Sequence, residues 1–280
     1  MTIPSKENLP ANIAISTLGC SERSLPEVIQ LMQYFGIPNV ELRGLDNRLD
    51  LPVYLEEQYG SPAAVKQEFE KAGIQSSVWD TSLSLMKHEE ENREAFLKFI
   101  PFAEALGVPY LRVFDGGTFD GPISDEVVQQ AVEQIQWWRA LRKSNGWKTD
   151  ILIETHDACC SSENCLRLEE ALDEPIPLLW DTWHIWFKND ETLSDTWNAL
   201  QPYVKHIHFK DGQRVPKGNF PYQYELPGHG CFPLSALFDR LSADGYSGKV
   251  CLEWERKWHP YLPPIEQALD ALSEFLAKRS

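Results

Sequence analysis

Eight times along the chain a short β-rich apolar run gives way to a longer stretch with helical spacing, and this alternation restricts the fold more than any other feature. The runs fall at residues 13–17 (IAIST), 39–44 (NVELRG), 75–82 (QSSVWDTS), 110–116 (YLRVFDG), 150–156 (DILIETH), 177–184 (PLLWDTWH), 205–211 (KHIHFKD) and 249–255 (KVCLEWE). The intervening stretches, such as 24–36, 61–73, 92–107 and 124–146, open near Ser or Asp caps, and most end at or near a glycine, as helices do. Runs so far apart cannot pair as hairpins. Each must reach the next by a crossover, which makes the sheet parallel, and eight such units are the number that closes a barrel. The expected fold is therefore α/β, a single (β/α)8 barrel, with a doubly wound open sheet as the alternative. The 280 residues fit one domain spanning 1–280. No glycine-rich phosphate fingerprint follows the first run, which counts against a dinucleotide domain. The longest irregular stretch, 212–232, follows the seventh run and is expected at the mouth of the barrel, where such enzymes keep their chemistry.

With 42 acidic against 26 basic residues, the formal net charge of -16 argues against a nucleic-acid or anionic-membrane partner, because both attract clustered Lys and Arg. The first ten residues, MTIPSKENLP, lack a secretory pattern, and no run approaches the roughly 18 apolar residues of a membrane span, so a cytoplasmic location is expected. The cysteines at 20, 159, 160, 165, 231 and 251 show no C-x-x-C pair and are expected as reduced thiols packed like small hydrophobes.

Four apolar runs end in an ionisable residue: ILIE in Glu154, LLWD in Asp181, HIH in His208 and VCLE in Glu253. In a barrel these side chains come from strands five to eight at the same end and converge. Three carboxylates and an imidazole brought together would be costly to desolvate without a cation. One divalent metal ion answers this; mixed, oxygen-rich ligation suits Mn2+ first, with Mg2+, Co2+ and Zn2+ as alternatives. The competing reading is that each acid caps the helix that follows it. In KHIHFKDG (205–212), His206, His208 and Lys210 alternate, so they share one side of the strand in successive layers. His206 then lies deeper, as a hydrogen-bonded core residue. Lys210 lies shallower, as a rim amine able to meet a substrate oxygen. His184, three residues after Asp181, can reach the same pocket.

At these residues the chain resembles the xylose isomerase-like superfamily of sugar isomerases and epimerases, over nearly its whole length and most specifically from LIETHD onward. The resemblance implies a metal held by Glu154, Asp181, His208 and Glu253, with Glu154 and Glu253 as catalytic base and acid on the two faces of the substrate. It implies substrate-binding roles for His184, for Arg214 six residues beyond the metal histidine, and for Lys210, as in the inosose dehydratase branch. Arg112 in YLRVFDGG, and Glu41 and Arg43 in VELRG, share the family's look with less fixed roles. One departure stands out: Cys160 occupies the position where ketose epimerases have a second acid, so their sugar does not transfer. The implied activity is isomerisation or epimerisation of a sugar or sugar phosphate by proton transfer next to a carbonyl, through an enediolate. Inosose-type dehydration on the same site is the alternative. A non-catalytic sugar-binding barrel and an abasic-site endonuclease are weaker ones; the endonuclease would want more histidines than seven and a basic groove. The resemblance leaves a homo-oligomer open.

Overall fold

The computed structural model describes residues 9–86, 90–215 and 220–279. Eight parallel strands close into a barrel: β1 (Ile13–Ser16), β2 (Asn39–Leu42), β3 (Gln75–Ser84), β4 (Tyr110–Phe114), β5 (Asp150–Glu154), β6 (Leu178–Asp181), β7 (Val204–Phe209) and, after an antiparallel hairpin formed by β8 (Asp211–Arg214) and β9 (Tyr222–Glu225), β10 (Lys249–Leu252). Each strand pairs with its sequence neighbour in the barrel, and β10 pairs with β1, so the open-sheet alternative is excluded.

The helices wrap the outside. The helix Leu25–Phe35 shows how the sequence dictates this: Leu25, Val28, Leu31, Met32 and Phe35 recur at helical spacing and are all buried. Glu27 reaches back to accept from the Ser24 backbone N–H at 2.8 Å, and Gly36 ends the helix in the left-handed region at φ 65°.

The inside of the barrel is layered. Val78, Leu152 and Leu179, with Tyr110 against them, form an apolar cluster separate from the main core. Side chains along a strand repeat their direction every second residue. Two residues further on, the same four strands therefore carry Asp80, Arg112, Glu154 and Asp181, all buried. Barrel interiors are usually filled by branched aliphatics; here the upper layer is made of ionisable side chains.

Three differences from the sequence reading have physical causes. The run 177–184 is a strand only to Asp181; Thr182–Asn189 is helical, because the Asp181 side chain accepts from the backbone N–H groups of Trp183 (2.9 Å) and His184 (3.0 Å) and starts a helix there. The stretch 92–107 breaks into helices Glu90–Leu97 and Ile100–Leu106, with Pro101 in the first turn of the second, where its missing N–H costs nothing. The helix Leu51–Tyr59, opened by Pro52, has no counterpart among the stretches read as helical.

The stretch 212–232 is not structureless, since the hairpin occupies much of it; residues 216–219 lie outside the described ones. Gly212 is required where the hairpin crosses the helix Thr182–Asn189: a Cβ there would stand 2.7 Å from the Gln223 carbonyl oxygen and 2.8 Å from the Trp183 ring. The Asp211 carboxylate then gathers the return path, accepting from the backbone N–H groups of Gly212 (2.8 Å), Gly228 (2.8 Å), Gly230 (3.0 Å) and Phe232 (3.2 Å). Asp211→Ala is expected to accelerate amide hydrogen exchange at residues 228–232 while leaving the barrel strands protected, since only this loop loses its acceptor. No helix among the described residues is long and apolar enough to cross a membrane. All six cysteines are free, and Cys20, Cys159, Cys160, Cys165 and Cys251 are buried, whereas Cys231, on the loop after the hairpin, is exposed and does not pack as a small hydrophobe.

Candidate metal centre

Register brings the polar strand ends together. Asp181 on β6 pairs with His208 on β7, and His208 pairs with Cys251 on β10, two residues before Glu253. One ligand atom from each of Glu154, Asp181, His208 and Glu253 lies within 4.8 Å of the others. The His208 ring stands between the two glutamates, with Nδ1 at 3.2 Å from Glu154 Oε1 and 3.3 Å from Glu253 Oε2. Its other nitrogen, Nε2, meets Glu41 Oε2 at 2.8 Å. That contact fixes the ring and turns Nδ1 toward the cluster, as outer carboxylates do for metal-binding histidines.

Lys210 lies deeper than the rim. Its side chain is 1% exposed, and its ammonium stands 2.9 Å from Asp181 Oδ2, 2.5 Å from Glu255 Oε1 and in contact with Glu253. Strand parity directs it inward, and the hairpin residue Tyr224 covers it: the Tyr224 hydroxyl donates to Glu255 at 2.7 Å, and the ammonium lies 5.6 Å from the centre of the Tyr224 ring.

Arg112 lies between Asp80 and Glu154, its Nε 3.3 Å from each, with Nη1 donating to the Thr81 carbonyl at 3.2 Å. His184 is buried at the N-terminal turn of its helix, Nε2 3.5 Å from Asp181 Oδ2, with its ring 4.5 Å from that of His156. Arg214 is not part of this cluster. Its described contacts are with Asp190 (2.5 Å), the Trp186 carbonyl (3.3 Å) and the faces of Trp186 and Phe187, and its side chain is 45% exposed. Cys160 points its thiol at the His156 carbonyl, 2.8 Å away.

The electrostatics follow from burial opposed by charge. Burial alone would raise Glu253, but the His208 imidazole and the Lys210 ammonium outweigh it and hold the carboxyl well below its usual range. For Glu154 burial is likewise outweighed, chiefly by Arg112. Asp181 goes the other way, raised to about 6 by burial that Lys210 only partly offsets, and Asp80 is raised by burial with Arg112 opposing it. Burial disfavours charge on His208 and Lys210, yet the surrounding acids push both well above their ordinary values. His184 is pushed down by burial, and the Lys210 charge adds to this, so it is neutral.

These residues fit a dication. Glu154 Oε2 and Asp181 Oδ2 are buried without a well-aligned hydrogen-bond partner among the described residues. An all-oxygen and imidazole donor set of this kind suits Mn2+, Mg2+, Co2+ or Zn2+. Asp181 also bears out the competing sequence reading in part: Oδ1 caps a helix while Oδ2 faces the cluster.

The acid-and-imidazole cluster lies at the carboxyl ends of β5, β6, β7 and β10 of a closed parallel barrel, the end at which such barrels keep their functional residues. The chain belongs to the xylose isomerase-like TIM barrel family, whose model matches residues 29–279. It is similar to an inosose dehydratase of Clostridium perfringens, 25% identical over 70% of this chain and 74% of that protein. An inosose dehydratase of Klebsiella pneumoniae is 22% identical over 95% of this chain and 96% of its own length. Among solved structures, the probable 3-DHS dehydratase AsbF of Bacillus anthracis shares the fold with a TM-score of 0.77 at 18% identity, covering 96% of this chain and all of that one. The IolI protein, determined with a bound zinc atom, gives a TM-score of 0.74 at 17% identity, covering 95% of this chain and 97% of that one.

Proposed function

We propose that this chain is a divalent-metal-dependent enzyme that removes a proton from the carbon next to the carbonyl of a polyhydroxy ketone, with the hydroxyl on the following (β) carbon then leaving as water and a C=C bond forming in its place. The single observation that carries the reading is the gathering of buried ligand atoms of Glu154, Asp181, His208 and Glu253 around one point. A bound dication supplies Lewis-acid stabilisation for the negative charge that develops on the carbonyl oxygen.

The chain's own residues do the rest. Glu253 and Glu154, on either side of His208, take and return the proton. The Lys210 ammonium, held by Asp181, Glu253 and Glu255, offers a donor to a departing or newly charged oxygen. Neutral His184 can hydrogen-bond a substrate hydroxyl. Buried Arg112 keeps Glu154 ionised, and this is the contribution assigned to it in place of direct substrate contact. Arg214, on the hairpin, would meet a substrate only at its outer end.

Elimination is favoured over isomerisation by the two inosose dehydratases, which match this chain over most of their length. Isomerisation or epimerisation remains the second reading, favoured by the two glutamates flanking one ring, since one acid on each face of a substrate permits return of the proton to the opposite face.

The test is incubation of the metal-loaded protein in heavy water with a panel of inososes, ketoses and their phosphates. The expected result is metal-dependent deuterium exchange at the carbon next to the carbonyl, abolished by a chelator and restored by Mn2+ or Co2+, accompanied by dehydrated product. Exchange without dehydration would select the second reading. Exchange that persists in the chelated protein would overturn the metal-dependent mechanism.

A further inference from the structure

Beneath the cluster just described, the barrel holds a second set of donors of different chemistry. Glu41 on β2, His206 and His208 on β7 and Cys251 on β10 each offer one ligand atom, and these lie within 4.8 Å of one another. All four residues are buried, at 1% exposure or less. Glu41 Oε2 stands 2.9 Å from His206 Nε2 and 2.8 Å from His208 Nε2. Glu41 Oε1 has no hydrogen-bond partner among the described residues, and His206 Nε2 has none that is well aligned. A fully buried carboxylate with an idle oxygen, facing two imidazoles and a thiol, is expensive to maintain without a ligand.

We propose that Glu41, His206, Cys251 and Nε2 of His208 form a second metal site, selective for a thiophilic dication such as Zn2+. One thiolate, two imidazoles and one carboxylate make a four-donor set in which thiolate and imidazole ligation favours zinc, whereas the oxygen-rich upper site suits harder ions. Glu41 and the Cys251 thiolate together cancel the charge of a dication within its own ligand set. A cysteine binds zinc as its thiolate, so metal uptake at this site releases the Cys251 proton.

His208 joins the two sites, with Nε2 facing down to Glu41 and Nδ1 facing up to Glu154 and Glu253. Of the four donors, His206 also borders the opposite end of the barrel. A cavity of about 600 Å³ on the opposite, amino-terminal face of the barrel is lined by Asn39, Ser77, Tyr110 and His206. Lys66, Lys205 and Lys249 also line it and oppose the passage of a cation, so loading is expected to be slow in the folded protein and complete on refolding with metal.

The experiment is refolding in Co2+ or Zn2+, removal of unbound metal, elemental analysis and, for Co2+, the near-ultraviolet thiolate-to-metal absorption. Wild-type protein is expected to hold about two equivalents and to show the thiolate band. Cys251→Ser is expected to hold about one and lose the band; Cys251→Ala serves as the second variant, each checked for cooperative unfolding. A protein carrying both Glu154→Gln and Glu253→Gln is expected to keep the band, which separates this site from the upper one. If the upper site failed to bind metal, wild type would hold about one equivalent with the band intact. A wild-type protein without the band, or a band that survives in both Cys251 variants, overturns the second site.

Discussion

Glu253→Gln is expected to lower turnover by about 10²–10⁴-fold, the range that a positioned general acid or base supplies. The amide is nearly the same size as the carboxyl, so packing around residue 253 is preserved, but it can neither accept the proton nor complete the negative set around the dication. Lys210 keeps Asp181 and Glu255 as partners, so the ammonium is not orphaned, and the variant is expected to fold. Glu154→Gln should fall in the same range, with a second consequence, because the Arg112 guanidinium would then be left with Asp80 as its carboxylate partner. Turnover and metal content of the two variants, measured with the substrate identified by exchange, check this. Unchanged turnover in either would remove that residue from the chemistry.

Arg112→Leu is expected to destabilise the fold by about 3–5 kcal/mol, the cost of removing one partner from a buried charged pair. The guanidinium is 2% exposed and stands 3.3 Å from both Asp80 and Glu154, so its loss strands two acids where water cannot reach them. The conservative Arg112→Lys should recover little, since one ammonium cannot face both acids and the Thr81 carbonyl from the geometry of a planar fork. Asp80→Leu combined with Arg112→Leu should recover part of the loss, because one buried acid rather than two is then left without the guanidinium. Urea denaturation of the four proteins reads these differences directly. A loss below about 1 kcal/mol for Arg112→Leu would mean that solvent reaches the pair, as for an exposed ion pair.

Much of this molecule was legible in its sequence because barrel strands are regular. Eight runs of the right length and spacing fix the crossovers, and the two-residue period then fixes which side chains point inward, so Glu154, Asp181, His208 and Glu253 could be placed at one end from their positions alone. The same period, applied more strictly, would have found Asp80, two residues beyond Val78 on β3, and Glu255, two beyond Glu253.

What the sequence concealed were facts of pairing. Lys210 reads as a rim residue because nothing in KHIHFKDG states that a hairpin folds back over it with Tyr224, or that Glu255 just beyond β10 reaches its side. Glu41 is an ordinary acid in NVELRG until closure of the barrel brings β2 within reach of β7 across the interior. The helix Thr182–Asn189 was hidden by its aromatic residues, which suit a strand as well, and the deciding contact is a cap made by a residue that also faces the cluster.

The upper donors all come from the chain after residue 150, whereas Asp80, Arg112 and Glu41, which set the charge and the ring orientation, come from before residue 115. A chimaera that grafts residues 150–279 onto the front half of another barrel would inherit the claws of the site without its counterweights. Such a hybrid should close as a barrel and bind metal poorly unless those three side chains travel with the graft, so the two halves of this protein are free to drift only together.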